Sequence, residues 1–217
     1  MKTIFIGAKI RNEPDYKKVA KLVNEKIPEK KLAICYSNQF VEIARKLPEF
    51  LTEKEVLQKT QVLGCSKPKF KEGVEGIIIV GEGKFHSVSL AYETGLPTYI
   101  LENGKIEKIT EEEVKKMKEK EKGMYLKYLN SSKVGVLITN KPGQQRMKSA
   151  LDFTKKIKKE GKKKAYMFIA NDLNTREFEN FQIDTWVNTA CPRMDLTDGN
   201  IINLEKLQNL EKVNSEN

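Results

Sequence analysis

The chain has 217 residues, 39% hydrophobic and 32% charged, with 40 basic against 30 acidic side chains and a net charge of +10. No run approaches the ~18 apolar residues that a membrane span needs. The opening residues MKTIFIGAKIRNEP lack the apolar stretch and cleavage site of a secretory signal. The expectation is a cytoplasmic globular protein of one large or two small domains, with no membrane role.

Apolar strand-like runs alternate with helix-like ones along the chain. A strand is expected at 2–7 (KTIFIG), a helix at 14–26 opened by Pro14, a strand at 31–36 (KLAICY) and a helix near 39–47. A short helical piece precedes a strand ending at Leu63, and 76–80 (GIIIV) reads as a buried strand. A helix at 86–94 and a strand at 97–101 follow, and Asn103-Gly104 signals a hairpin turn because both residues tolerate positive φ. From Thr110 to about Ser131 the chain is charged and helical, with Thr110 and Glu113 spaced as a capping box. The second half offers a strand at 134–139, a helix at 144–160, a strand at 164–170, a short helix near 175–180 and a strand at 184–189. After Asn200 the pattern fades into a polar tail. The fold class is α/β: two small parallel-sheet domains in tandem, 1–110 and 132–217, joined by a helical connector at 111–131, with a cleft between them.

Lysines crowd into 115–122 (KKMKEKEK) and 155–164 (KKIKKEGKKK). They suit either a solvated helix face or an anionic partner. No interleaved aromatic platform accompanies them, so no direct nucleic-acid binding is expected.

The unusual residues follow strand ends. Cys65 follows the strand ending at Leu63; Gly81, Gly83 and His86 follow strand 76–80; Gln144 and Arg146 follow strand 134–139; Cys191 and Arg193 follow strand 184–189. In doubly wound sheets ligands bind at the carboxyl ends of strands, so these segments are placed to converge. Singly, each reads two ways. Gly81-Glu82-Gly83 is a tight turn or an anion cradle. His86, the single histidine, is structural or lines a site. The three cysteines form no C-x-x-C pair and are buried thiols or ligands. Cys35, inside KLAIC, fits a buried thiol best. No catalytic residue stands out on these grounds.

Taken in order, VLGCS around Cys65, GIIIVGEGKFHS at 76–87, NKPGQQR at 140–146 and TACPRMDL around Cys191 resemble the diphthamide synthases. In that family, cysteines from three successive domains bind one 4Fe-4S cluster. Gln61 through Cys65 and Cys191 through Arg193 match the second and third cysteine contexts. Cys35 does not match the first. Its strand aligns with a second-domain stretch, and Gln39 matches a glutamine of that stretch.

The resemblance implies a 3-amino-3-carboxypropyl transferase that uses S-adenosylmethionine to modify a histidine of elongation factor 2 by radical chemistry. It implies Cys65 and Cys191 as metal ligands. Gly81, Gly83, His86, Gln144, Arg146 and Arg193 then contact the cosubstrate; for Arg193, loop packing is the competing role. The family's first domain has no counterpart here, so a separate chain carrying it, within a dimeric assembly, is expected. A non-catalytic partner subunit or scaffold, and a generic nucleotide-binding α/β protein, are the alternatives.

Overall fold

The computed structural model describes residues 9–10, 13–62, 68–81, 84–192, 194 and 200–215. The expected strand at 2–7 lies outside them. The chain divides into two compact units, residues 1–118 and 119–217. Each is considered by itself.

The first unit holds α1 (Tyr16–Lys26), β1 (Lys31–Tyr36), α2 (Val41–Lys46), β2 (Glu55–Gln61), β3 (Gly76–Val80), α3 (Lys84–Thr94), β4 (Thr98–Glu102) and β5 (Lys105–Lys108). The sheet order is β2-β1-β3-β4-β5. Its first four strands are parallel, and β5 returns antiparallel on β4. The Asn103-Gly104 turn forms as expected, with φ of 49° and 70°. Every residue of β3 is buried, which suits a central parallel strand covered on both faces. Helix α1 starts one residue past its N-cap, Asp15, whose carboxylate accepts from Lys18 N at 3.1 Å. Pro14 therefore precedes the cap instead of opening the helix. Tyr16, Val19, Ala20 and Val23 then recur at helical spacing and bury one face. The helix expected near 39–47 is α2 flanked by 3-10 turns, Asn38–Phe40 and Leu47–Phe50.

The second unit is entered from α4 (Glu111–Leu129). Thr110 and Glu113 make the expected capping box: Glu113 N donates to Thr110 Oγ1 at 3.2 Å, and Thr110 N to Glu113 Oε2 at 2.8 Å. At its other end, Lys163 Nζ donates to the carbonyls of Tyr128, Leu129 and Ser131 at 2.7–2.8 Å, closing carbonyls that have no helical partner. The unit continues through β6 (Lys133–Thr139), α5 (Met147–Glu160), β7 (Lys164–Ala170), β8 (Thr185–Asn188), β9 (Ile201–Asn203) and α6 (Leu204–Ser215). Its sheet is fully parallel in the order β7-β6-β8-β9. Helix α5 begins at Met147, three residues later than expected, because Lys141-Pro142-Gly143-Gln144 forms a turn with Gly143 at φ 77°.

The polar tail expected after Asn200 is corrected by the structure. Ile201–Asn203 form a buried edge strand, and α6 docks Leu204 and Leu207 into the core beneath β6, β8 and β9. Leu210, partly buried, packs beside them, and the helix's other residues are largely polar.

The two units repeat one device. Glu75, just before β3, accepts from the backbone N–H groups of Lys30 and Lys31 at the start of β1. Asp184, just before β8, accepts from Ser132 and Lys133 at the start of β6, both at 2.8 Å. Ile77 N donates to Pro97 O and Trp186 N to Asn200 O, so β3 and β8 occupy equivalent places.

Candidate functional site

In the first unit, Gly81 continues from β3, buried, with its N–H toward Leu101 O at 3.4 Å. A side chain there would meet Ser37 Oγ at 3.8 Å and Ile79 Cγ2 at 3.9 Å, which is ordinary contact, and its φ is not positive. Neither sterics nor backbone conformation therefore demands glycine at 81. His86 sits half-buried in the first turn of α3. Beside it, Ser87 is fully buried, and its hydroxyl has no hydrogen-bond partner among the described residues. Sequence reading passed over Ser87, since a serine in a helix gives no signal of its own. Gly83 and Cys65 lie outside the described residues.

Cys35 is fully buried on β1, and burial pushes its thiol up to about 12. A thiol so far from ionisation in a dry strand does not fit metal ligation.

In the second unit, the segments after β6 and β8 carry the expected residues. Gln144 is exposed in the turn before α5, not on the helix as expected. Arg146 is the N-cap residue of α5 and faces Glu205 of α6 at 4.0 Å. Arg193 lies outside the described residues.

Cys191 is a free, half-exposed thiol three residues beyond the end of β8. The backbone around it is heavily pinned. Thr189 N and Oγ1 both donate to Leu137 O, at 3.1 and 2.7 Å. Ala190 N donates to Asn188 Oδ1 at 2.9 Å. Cys191 O accepts from Asn188 Nδ2 at 2.8 Å and from Met194 N at 3.1 Å. Pro192 O accepts from Asn203 Nδ2 at 2.8 Å. The two asparagines join at 2.7 Å, Asn188 Nδ2 to Asn203 Oδ1. Neither asparagine was singled out in the sequence. The available signal was an Asn closing each of two apolar runs, TWVN and IIN.

Among the described residues, no three His, Cys, Asp or Glu side chains gather as a metal site. A half-exposed thiol on a fixed loop at the carboxyl end of a parallel strand nevertheless fits the role of one thiolate donor to a cluster shared between segments.

The sequence profile of the diphthamide synthesis protein family matches residues 1–201. The chain belongs to the diphthamide synthesis family. A relative within known diphthamide enzymes is the 2-(3-amino-3-carboxypropyl)histidine synthase of Pyrococcus horikoshii, 31% identical over 138 residues, which are 64% of this chain and 40% of that protein. Another is subunit 1 of the corresponding synthase of Schizosaccharomyces pombe, 27% identical over 157 residues, 69% of this chain and 35% of that one. The chain thus spans well under two thirds of the curated relatives it matches. Among solved structures, Dph2 from Pyrococcus horikoshii superposes with a TM-score of 0.75 at 24% identity, covering 88% of this chain and 62% of that one. A second crystal structure of that Dph2, containing a 4Fe-4S cluster, superposes with a TM-score of 0.77 at 23% identity, covering 90% and 62%. The parallel α/β architecture of this diphthamide-family chain is therefore the Dph2 fold. No helix among its described residues is long and apolar enough to cross a membrane.

Proposed function

We propose that this chain forms part of a 2-(3-amino-3-carboxypropyl)histidine synthase that takes the 3-amino-3-carboxypropyl group from S-adenosylmethionine and attaches it to a histidine of elongation factor 2. The observation that carries the reading is the half-exposed Cys191 thiol on its pinned loop, within the motif TACPR of a diphthamide-family chain. Cys65, in VLGCS, is the second thiolate. A third donor comes from a separate chain carrying the remaining domain, in a dimeric assembly in the cytoplasm. A reduced 4Fe-4S cluster supplies, when bound, the electron that breaks a carbon–sulfur bond of the sulfonium.

This chain's own residues then bind and orient. Gly81 and Gly83 allow the cosubstrate close to the backbone, and the support is that packing leaves Gly81 free to be larger. The Ser87 hydroxyl, without a partner among the described residues, is a donor and acceptor in the same turn of α3 as His86, which lines the pocket. Gln144 and Arg146, before α5, and Arg193, two residues beyond Cys191, hold the anionic end of the aminocarboxypropyl group. The Schizosaccharomyces pombe relative is named as a subunit, which supports an enzyme assembled from more than one chain.

The test is anaerobic reconstitution of this chain with and without the supplied first domain, in the presence of elongation factor 2. Methylthioadenosine release in the mixture alone, abolished by Cys65→Ala and by Cys191→Ala, is the expected result. Release in neither, from a folded complex, would show a non-catalytic subunit instead.

A further inference from the structure

We infer that Asn188 and Asn203 are positioning residues for Cys191, a buried amide pair that fixes the thiol's backbone before any cluster is present. The inference rests on the proposed role of Cys191 as a cluster thiolate. The two asparagines are register partners on the parallel strands β8 and β9, 2% and 6% exposed. Their amides bond to one short segment. Asn188 holds Ala190 N and Cys191 O, Asn203 holds Pro192 O, and the bond between the two side chains locks both rotamers. Thr189 adds two bonds to Leu137 O. From 189 to 192, the Cys191 side chain is left to point where the loop sends it.

The other unit shows that the fold alone does not require these amides. The equivalent register pair there is Ile79 and Ile100, both buried and apolar, on β3 and β4. No cysteine follows β3; Gly81 does. Burying two amides is unfavourable unless every group is satisfied. Unit two places that pair where a cysteine loop leaves the sheet. A thiolate ligand must be held before the metal arrives, because ordering a loose loop on binding would weaken retention.

The first unit also supplies the variant for the test. Asn188→Ile with Asn203→Ile copies the apolar pair, so the sheet retains a packing solution while the loop loses its three side-chain bonds. In the chain as it stands, two rates are measured: iodoacetamide alkylation of Cys191, mapped by mass spectrometry, and amide exchange over 189–192. Both rates are expected to rise roughly tenfold in the double variant, the size expected from losing about one net hydrogen bond's worth of protection. Trp186 fluorescence and exchange in β6 stay as in the wild type, and iron retained after anaerobic reconstitution together with the supplied first domain falls.

Unchanged alkylation and exchange in the double variant overturn the inference. So does a rise matched throughout β6 with loss of the Trp186 signal, because that is general destabilisation. Should the double variant not fold, the wild type still decides: an Ala190 amide exchanging as fast as an open loop contradicts the pinning. Full iron retention by Cys191→Ala removes the ligand assignment itself. That failure is separate, since alkylation and exchange need no iron.

Discussion

Trp186 lies across Gly135, its register partner on the adjacent strand β6, and a side chain at 135 would overlap the indole ring at Cε3 and Cζ3. The indole also stacks on Phe178 at 4.3 Å between centroids and meets Phe168 edge-on at 4.7 Å. These rings cover the face of the second sheet opposite α4, α5 and α6, whose buried apolar residues pack on the other face. Gly135→Ala therefore forces the indole out of the cluster, and overpacking of this kind costs about 1–3 kcal/mol. Trp186 is the single tryptophan, so urea unfolding followed by its fluorescence reads the loss directly. Full stability in Gly135→Ala would mean that the ring does not occupy that place in solution.

Gly81 makes the opposite case. Its backbone suits an L-residue and the space admits a methyl group. Gly81→Ala should shift stability by no more than about 1 kcal/mol, with a gain as reasonable as a loss because alanine restricts the unfolded chain. The same substitution should lower methylthioadenosine release sharply, if the missing side chain serves cosubstrate approach. Stability and activity falling together would assign the glycine to packing.

The repeated carboxylates should contribute part of the acid sensitivity, beside Glu42, Glu112 and Glu113, which are also held low. Backbone N–H groups of Lys133 and Ser132 hold the Asp184 carboxyl below its ordinary range, and those of Lys31 and Lys30 do the same for Glu75. A depressed folded pKa contributes stability that is complete above the unfolded value and is lost as pH falls through the folded one. The urea midpoint should therefore decline below about pH 4. Asp184→Asn and Glu75→Gln, which can still accept a hydrogen bond but do not titrate, should flatten that decline. An acid limb as steep in the double variant as in the wild type would place the titrating groups elsewhere.

Much of the parallel-sheet skeleton was legible because its signals are local. KLAICY, GIIIV and the strand over 164–170 appear at the expected positions, and the Thr110–Glu113 box and the Asn103-Gly104 turn use residues whose side chains or φ tolerance settle the geometry within a few positions. Strand β9 was missed because two isoleucines and an asparagine after a polar loop carry little periodicity. Helix α6 was missed because its apolar stripe, Leu204, Leu207 and the partly buried Leu210, is set amid polar neighbours.

The site was legible as motifs and illegible as mechanics. Cys191 stood out from its TACPR context, but the Asn188–Asn203 pair depends on a strand pairing across 15 positions that no local pattern announces. The Gly135–Trp186 contact is equally non-local. A glycine in an apolar strand hints at close approach without naming what approaches. Gln144 was placed at the start of the helix expected over 144–160, whereas Pro142-Gly143 sets a turn first.

Cys35 and Cys191 should separate by reactivity. Cys35 has its thiol pushed up to about 12 by burial, and it is fully enclosed among Val62, Ile77, Ile79 and Leu90. At about pH 8 it is a thiol with no access to reagent, so alkylation of the folded chain should spare it. Cys191, half-exposed after β8, should react. Cys35→Ala removes one buried sulfur and leaves a small void, at a cost of about 1 kcal/mol, with no change in reconstituted iron. Cys191→Ala should do the reverse, leaving the core intact and lowering iron. The checks are iron content per chain and urea midpoint for both variants side by side. Iron lost from Cys35→Ala while its fold is retained would make the buried thiol a ligand, and burial that raises a thiol so far argues against it.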